Sequence, residues 1–168
     1  MLHPDYFEGF DINFNDFKKL KVLKIETQEK SLFLTNLFVK PSYQLQSLSV
    51  KTCVSNFMNK MEFFTTQRSL TTFEIALCGE YDGEMEQPMF NDILRNVFMF
   101  NSTNLQRVTI STKNMCEYDC KSFEFLEDIH CATVKSVKYI KGQRDTSMLQ
   151  EALVTIFPTA VFSENCGT

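Results

Sequence analysis

The sequence contains no tryptophan, no excess of positive charge and no long run of apolar residues. The longest apolar runs, such as Val97-Phe-Met-Phe100, are far shorter than the roughly 20 residues of a membrane-spanning helix, so we expect no membrane segment. The net charge of -4 supplies no basic stripe for a phosphate backbone, which argues against nucleic acid as a partner. The first residues lack the basic and apolar regions of a secretory signal, and we expect an intracellular protein, cytoplasmic or nuclear.

Motifs that carry catalytic chemistry are also missing. The chain has no glycine-rich phosphate loop, no Gly-x-Ser-x-Gly elbow and no His-Glu-x-x-His helix, so we expect neither an enzyme nor a bound cofactor. One cluster resembles a metal site, since Cys116 and Cys120 are followed by adjacent His130 and Cys131. Structural zinc usually takes two spaced pairs of ligands, and two neighbouring residues reach one ion with difficulty. An ordinary loop and helix is the favoured interpretation of this cluster, and zinc binding is the weaker alternative.

A six-residue apolar pattern, Leu-x-x-Leu-x-Leu, is present in six copies. The copies are Leu20-Lys-Val-Leu23-Lys-Ile25, Leu45-Gln-Ser-Leu48-Ser-Val50, Leu70-Thr-Thr-Phe73-Glu-Ile75, Leu105-Gln-Arg-Val108-Thr-Ile110, Val134-Lys-Ser-Val137-Lys-Tyr139 and Phe157-Pro-Thr-Ala160-Val-Phe162. Their starts lie 25, 25, 35, 29 and 23 residues apart. Recurrence every 20 to about 29 residues is typical of leucine-rich repeats, which have one short strand and one helical segment per repeat.

The pattern predicts one domain over residues 1–168, with residues 1–19 as a lead-in or partial repeat. Positions four and six of each copy would point into the core, because successive side chains of a strand alternate between its faces. Between the strands, helical spacing predicts helices through the apolar residues near 34–38, 57–64, 90–98 and 149–156, and a weaker one over 123–130. The acidic stretch 79–87 would be a surface loop. Seventeen phenylalanines suit a long core of stacked rings.

Cysteine at the ninth residue, counted from the first leucine of a copy, indicates a particular subtype of leucine-rich repeat. Together with the apolar spacing, Cys53 and Cys78 resemble the cysteine-containing subtype of leucine-rich repeats, common in F-box proteins that select substrates for cullin-RING ubiquitin ligases. The resemblance implies a right-handed α/β horseshoe of about six irregular repeats, with a concave parallel sheet and convex helices. It further implies a protein partner on the concave face, and ligase subunits bound through a region upstream of Met1. No F-box itself is visible in the chain.

The side chains between the core positions would form the binding surface. The candidate contact residues are Val22, Lys24, Glu26, Ser49, Lys51, Thr72, Glu74, Arg107, Thr109 and Lys138. Arg107, flanked by Glu74 and Lys138, is the leading candidate, since arginine is enriched at interface hot spots.

A receptor-type or secreted repeat fragment is the alternative. It is favoured by the sequon Asn101-Ser-Thr103 and by the even number of cysteines, six. Against it, the cysteines follow no disulfide spacing, and Cys53 and Cys78 are expected to be buried, reduced thiols.

Overall fold

The computed structural model describes residues 17–27, 43–57, 61–78, 86–112, 126, 128–141 and 147–166. Helices and strands alternate along most of this length. The strands are β1 Val22–Glu26, β2 Ser47–Cys53, β3 Thr72–Cys78, β4 Arg107–Ser111, β5 Ser136–Lys141 and β6 Val161–Cys166. The α-helices are α1 Met61–Thr66, α2 Glu86–Asn101 and α3 Ser147–Ile156, and a 3₁₀ turn spans Val54–Phe57.

The six strands form a single parallel sheet in chain order, β1-β2-β3-β4-β5-β6. Each strand pairs in parallel with the next one along the chain. Parallel neighbours need a crossover to bring the chain back to the same edge, and helices commonly supply it. The predicted α/β class with a parallel sheet is therefore confirmed.

The first five copies of the apolar pattern align residue for residue across the sheet. Their fourth residues are Cα partners in successive strands: Leu23, Leu48, Phe73, Val108 and Val137. Because the register is constant, each copy presents the same positions to the same face. The alignment holds across the 35-residue interval as well as the 25-residue ones.

The sixth copy is displaced, and the predicted repeat start at residue 157 does not match the sheet. The pattern places Ala160 beside Val137, whereas the structure pairs Val137 with Phe162. Phe157 directly follows the end of α3, and its N–H donates to the carbonyl of Leu153 at 2.9 Å. A turn then follows before the strand begins, so β6 enters the sheet two residues late. A shift of two leaves the faces unchanged, since side chains alternate with period two.

The core lies between one face of the sheet and the helices. Fourth and sixth positions such as Leu48, Val50 and Ile75 are fully buried, and they share one apolar cluster with residues of α1, α2 and α3. Phenylalanines connect the layers edge to face, as where the ring centroids of Phe98 and Phe157 lie 5.0 Å apart. Burying one such large apolar side chain stabilises the fold by about 1.5–3 kcal/mol.

The described helices follow the predicted spacing. Phe90, Leu94, Val97 and Phe98 all face the core from α2, and Leu149, Leu153 and Ile156 do so from α3. Of the predicted helix through Phe57, Met61 and Phe64, the described residues include the 3₁₀ turn Val54–Phe57 and the helix Met61–Thr66, and residues 58–60 lie outside them. Both Phe57 and Phe64 are buried, with ring centroids 5.3 Å apart.

Some predicted segments lie outside the described residues. These are residues 1–16, the helix near 34–38, the stretch 79–85 and half of the segment 123–130, namely 123–125 and 127. Within the described part, no helix has both the length and the apolar character needed to cross a membrane.

Candidate functional site

The outer face of the sheet is the side opposite the helices, formed by positions three, five and seven of the strands. All ten candidate contact residues lie on it, and none of them is buried. Those on β1, together with Arg107 and Lys138, are exposed, while those on β2 and β3 and Thr109 are half-buried. The strand alternation that buries the fourth and sixth positions therefore also gathers these side chains on one surface.

On this face, the carboxylate of Glu74 is held in place by two side-chain contacts. Its Oε2 accepts a hydrogen bond from Ser49 Oγ at 2.7 Å, and its Oε1 lies 3.4 Å from Lys51 Nζ. Both partners come from β2, so the carboxylate is held across the strand pair. A second ion pair joins Lys24 and Glu26 on β1 at 3.6 Å. The charges on this part of the face are therefore already balanced within the protein.

Arg107 has different neighbours from those predicted. The register places it beside Thr72 and Ser136, whereas the residue between Glu74 and Lys138 is Thr109. The prediction that Glu74 and Lys138 flank Arg107 is wrong because they lie two residues further along their strands. The exposed guanidinium of Arg107 makes no ion pair or side-chain hydrogen bond with any residue that the structure describes.

Cations also collect at the edge where the strands begin. We call basic rim the described residues in the five positions before each strand, together with the first strand residue. It carries six cations and no carboxylate: Lys18, Lys19, Lys21, Arg68, Arg107 and Lys135. The sequence prediction of no basic stripe rested on the net charge of -4, which conceals this local arrangement.

Two buried amides, missed by the sequence prediction, connect successive repeats. Gln67 Oε1 accepts the N–H of Leu45 at 2.9 Å, and Asn101 Oδ1 accepts the N–H of Leu70 at 2.9 Å. Asn101 Nδ2 donates to the carbonyls of Gln67 at 2.9 Å and Val97 at 3.0 Å. Asn101 is fully buried, so the sequon nitrogen is committed to the fold.

Among the described residues, His130 and the thiols of the predicted metal cluster do not form a shared site. Cys131 is fully buried and its thiol donates to the carbonyl of Phe98 at 3.5 Å, whereas His130 is exposed. Burial raises the pKa of the Cys131 thiol to about 11. The described part holds no group of three His, Cys, Asp or Glu residues placed to bind a metal, and Cys116 and Cys120 lie outside it.

Cys53 is buried and is not part of a disulfide, as the sequence predicts. It is the Cα partner of Cys78 in the neighbouring strand, so the two ninth positions coincide. The side chain of Cys78 is outside the described residues.

The outer face suits surface contacts of mixed polarity. Hydroxyl groups such as that of Thr109 are interspersed with cations and with the balanced Glu74 carboxylate. Six strands about 4.8 Å apart make the sheet roughly 24 Å wide, which is large enough to contribute to a standard interface of about 800 Å² per partner. No family model, curated protein or solved structure matches this chain.

Proposed function

We propose that this chain is a non-catalytic protein-interaction module of the leucine-rich-repeat type, and that the outer face of its sheet binds a protein. The observation that carries the proposal is the constant register of five apolar copies in a parallel sheet ordered as the chain. In a solenoid each repeat contacts only its neighbours, and curvature makes the sheet an extended binding surface. A horseshoe of six irregular repeats agrees with this sheet order.

Arg107 is the proposed centre of the contact. Its guanidinium can make several directed hydrogen bonds, and no described carboxylate competes for it. Thr72 and Thr109, on the same face, would approach a partner beside it. Glu74 and Lys51 already neutralise each other, so they contribute shape more than net charge.

The finer proposal is substrate recognition for an F-box-type cullin-RING ubiquitin ligase inside the cell. It rests on the cysteine-containing subtype that the sequence resembles. Two facts support it: Cys53 and Cys78 occupy equivalent strand positions, and neither Cys53 nor Cys131 is in a disulfide, as expected in a reducing compartment. The ligase subunits would bind through a region upstream of Met1.

Affinity capture from cells tests both levels of the proposal. The natural full-length protein is compared with its Thr109→Arg variant, which places a bulky charge in the middle of the outer face. We expect one or more proteins to be captured by the parent and lost from the variant, and cullin-ligase subunits to remain with both. Capture without any ligase subunit, from a gene that encodes no F-box, would defeat the ubiquitin proposal alone. A full set of partners retained by the variant would defeat the outer face as the contact surface.

A receptor-type or secreted repeat protein is the second candidate, since the chain has a sequon and six cysteines. The environment of Asn101 argues against use of that sequon, because both the burial and the three hydrogen bonds of its amide would be lost to a glycan. Titration of thiols in denaturant without reductant separates the two candidates. Six reactive thiols would count against the secreted protein, and paired cysteines would favour it.

A further inference from the structure

The basic rim differs from the outer face in that its charge is not balanced. Both ion pairs that the structure describes lie on the outer face, between Lys24 and Glu26 and between Lys51 and Glu74. None of the six rim cations pairs with a described carboxylate. This is notable in a chain of net charge -4, where acidic residues outnumber basic ones.

The rim cations that make other contacts keep their charge available. Arg68 lies over the ring of Phe100, with 4.8 Å between its guanidinium carbon and the ring centroid. Lys21 Nζ is 3.5 Å from the carbonyl oxygen of Gln44. Neither contact pairs the cation with a negatively charged group, and all six rim cations are exposed residues. An anionic partner would therefore gain ion pairs without breaking any that the structure describes.

Backbone hydrogen bonds set the rim out as a line. Gln46 N donates to Lys21 O at 2.8 Å, and the same step is repeated through Thr71 and Gln106 to Lys135. Lys21 and Lys135 are thus four strands apart, or about 19 Å at 4.8 Å per strand. An extended polypeptide rises about 3.3 Å per residue, so roughly six residues would span this line.

An open groove of about 590 Å³ lies along the second half of the rim. Five hydroxyl side chains, two amides and one ammonium group, that of Lys135, line it together with Ala132 and Val134. The hydroxyls of Thr71, Thr133 and Thr159 donate to backbone carbonyls at 2.8 to 3.0 Å. Their oxygens therefore keep lone pairs that accept hydrogen bonds.

We propose that the basic rim is a second interaction surface, which binds an acidic segment of a polypeptide in extended conformation. The carboxylates of the segment pair with the rim cations, and its backbone N–H groups donate to the threonine oxygens of the groove. A groove of this kind accepts N–H donors, which a peptide backbone has at every residue but proline and a phosphodiester backbone lacks. The overall charge of -4 also opposes a long polyanion such as nucleic acid. The proposal goes beyond the outer-face contact; the two surfaces share Arg107, and the test therefore changes only rim cations that lie off the outer face.

The test uses fluorescence anisotropy with a labelled peptide of about eight residues that alternates glutamate and serine, at an ionic strength of about 0.1 M. The full chain is compared with the double variant Arg68→Gln/Lys135→Gln. Arg95→Gln is the matched control, since Arg95 is an exposed cation on α2 away from the rim. We expect the double variant to bind about five- to tenfold more weakly and the control to bind as the parent does.

Two further arms distinguish this surface from its alternatives. Thr109→Arg, which disturbs the outer face, should not weaken binding of the peptide, even if the outer-face partner is lost, because it removes no rim cation and adds a positive charge near Arg107. Peptide affinity unchanged in the double variant, or lowered equally in Arg95→Gln, would overturn the proposal. An RNA oligonucleotide of equal charge bound more tightly than the peptide would overturn it as well. Melting temperatures of all variants show whether each remains folded.

Discussion

The backbone N–H of Leu70 donates to Oδ1 of Asn101 at 2.9 Å, although 31 residues separate the two. Leu70 starts the third apolar copy, and Asn101 ends the helix that follows it. Gln67 gives the same support to the N–H of Leu45 in the preceding repeat. Each of the two leucines precedes its strand, so its N–H has no partner in the sheet. The oxygen of a buried amide accepts that N–H instead. The amide of Asn101 also donates to the carbonyl of Gln67 at 2.9 Å, and this bond ties the two repeats together.

Asn101→Ala should destabilise the protein by about 2–4 kcal/mol. The substitution leaves the N–H of Leu70 and the carbonyl of Gln67 without their side-chain partner in the interior, and a buried unsatisfied group costs about 1–3 kcal/mol. Urea unfolding followed by circular dichroism measures the change in the free energy of unfolding.

Asn104→Ala is the matched control for that measurement. Asn104 is exposed, and its amide makes a single described side-chain hydrogen bond, to the carbonyl of Arg68 at 3.0 Å. Its loss should change stability by less than about 1 kcal/mol, because water can replace the bond. Equal effects of the two substitutions would show that the amide of Asn101 does not connect the repeats.

Two neighbouring residues of β3 test which face is the core. Ile75 is fully buried, and Ile75→Ala should cost about 2–5 kcal/mol through lost burial and the cavity left behind. Glu74 lies next to it on the outer face, where Glu74→Ala removes the contacts with Ser49 and Lys51. That change should stay within about 1 kcal/mol, since partly exposed ion pairs contribute little. If the same unfolding experiment found Glu74→Ala to be more destabilising than Ile75→Ala, the core face and the outer face would have to be exchanged.

Cys131 should make the protein less stable in alkali. Burial raises its pKa from 9.0 to about 11, so an unfolded chain loses this proton at lower pH than the folded one. The stabilising effect of the neutral thiol is complete below pH 9 and is lost as the pH rises from about 9 to 11. By about pH 10 the loss should be on the order of 1 kcal/mol.

The control variant is Cys131→Ala. The loss of stability that this substitution itself causes is the same at every pH. Urea midpoints of the parent and the variant should converge between pH 8 and about pH 10. Tyr43, whose pKa burial raises to about 12, contributes a further loss above pH 10, equally in both proteins. Parallel pH profiles would mean that the Cys131 thiol is not protected by the fold.

The repeat pattern predicted the sheet well because its information is local and periodic. Leucine or valine at the fourth position, as in Leu48, must be buried, and the polar residue after it must then face outward. Five copies of that alternation determine both the strands and their register. The sixth failed because Phe157 fits the spacing but is bound to the end of α3, and local spacing cannot distinguish these roles.

The local repeat pattern could not predict the buried amides or the basic rim. Gln67 precedes its leucine by three residues and Asn101 precedes Leu105 by four, so they share no motif position. The leucines whose N–H groups they accept start the same repeats 22 and 31 residues earlier, and only the folded chain brings them close. The rim cations are likewise spread from Lys18 to Lys135, and net charge alone conceals them. Arg107 and the rest of the outer face followed from alternation, but their exact neighbours followed only from the register.

The most direct measurement concerns the outer face as a protein-binding surface. Once a partner has been captured, its dissociation constant is measured for the parent, for Arg107→Ala and Thr109→Arg on the outer face, and for Arg95→Ala on α2. We expect both outer-face variants to weaken binding by about tenfold or more, with melting temperatures close to that of the parent, and Arg95→Ala to bind normally. Parental affinity in both outer-face variants, with a loss in Arg95→Ala alone, would contradict the proposed function and move the contact to the helical side.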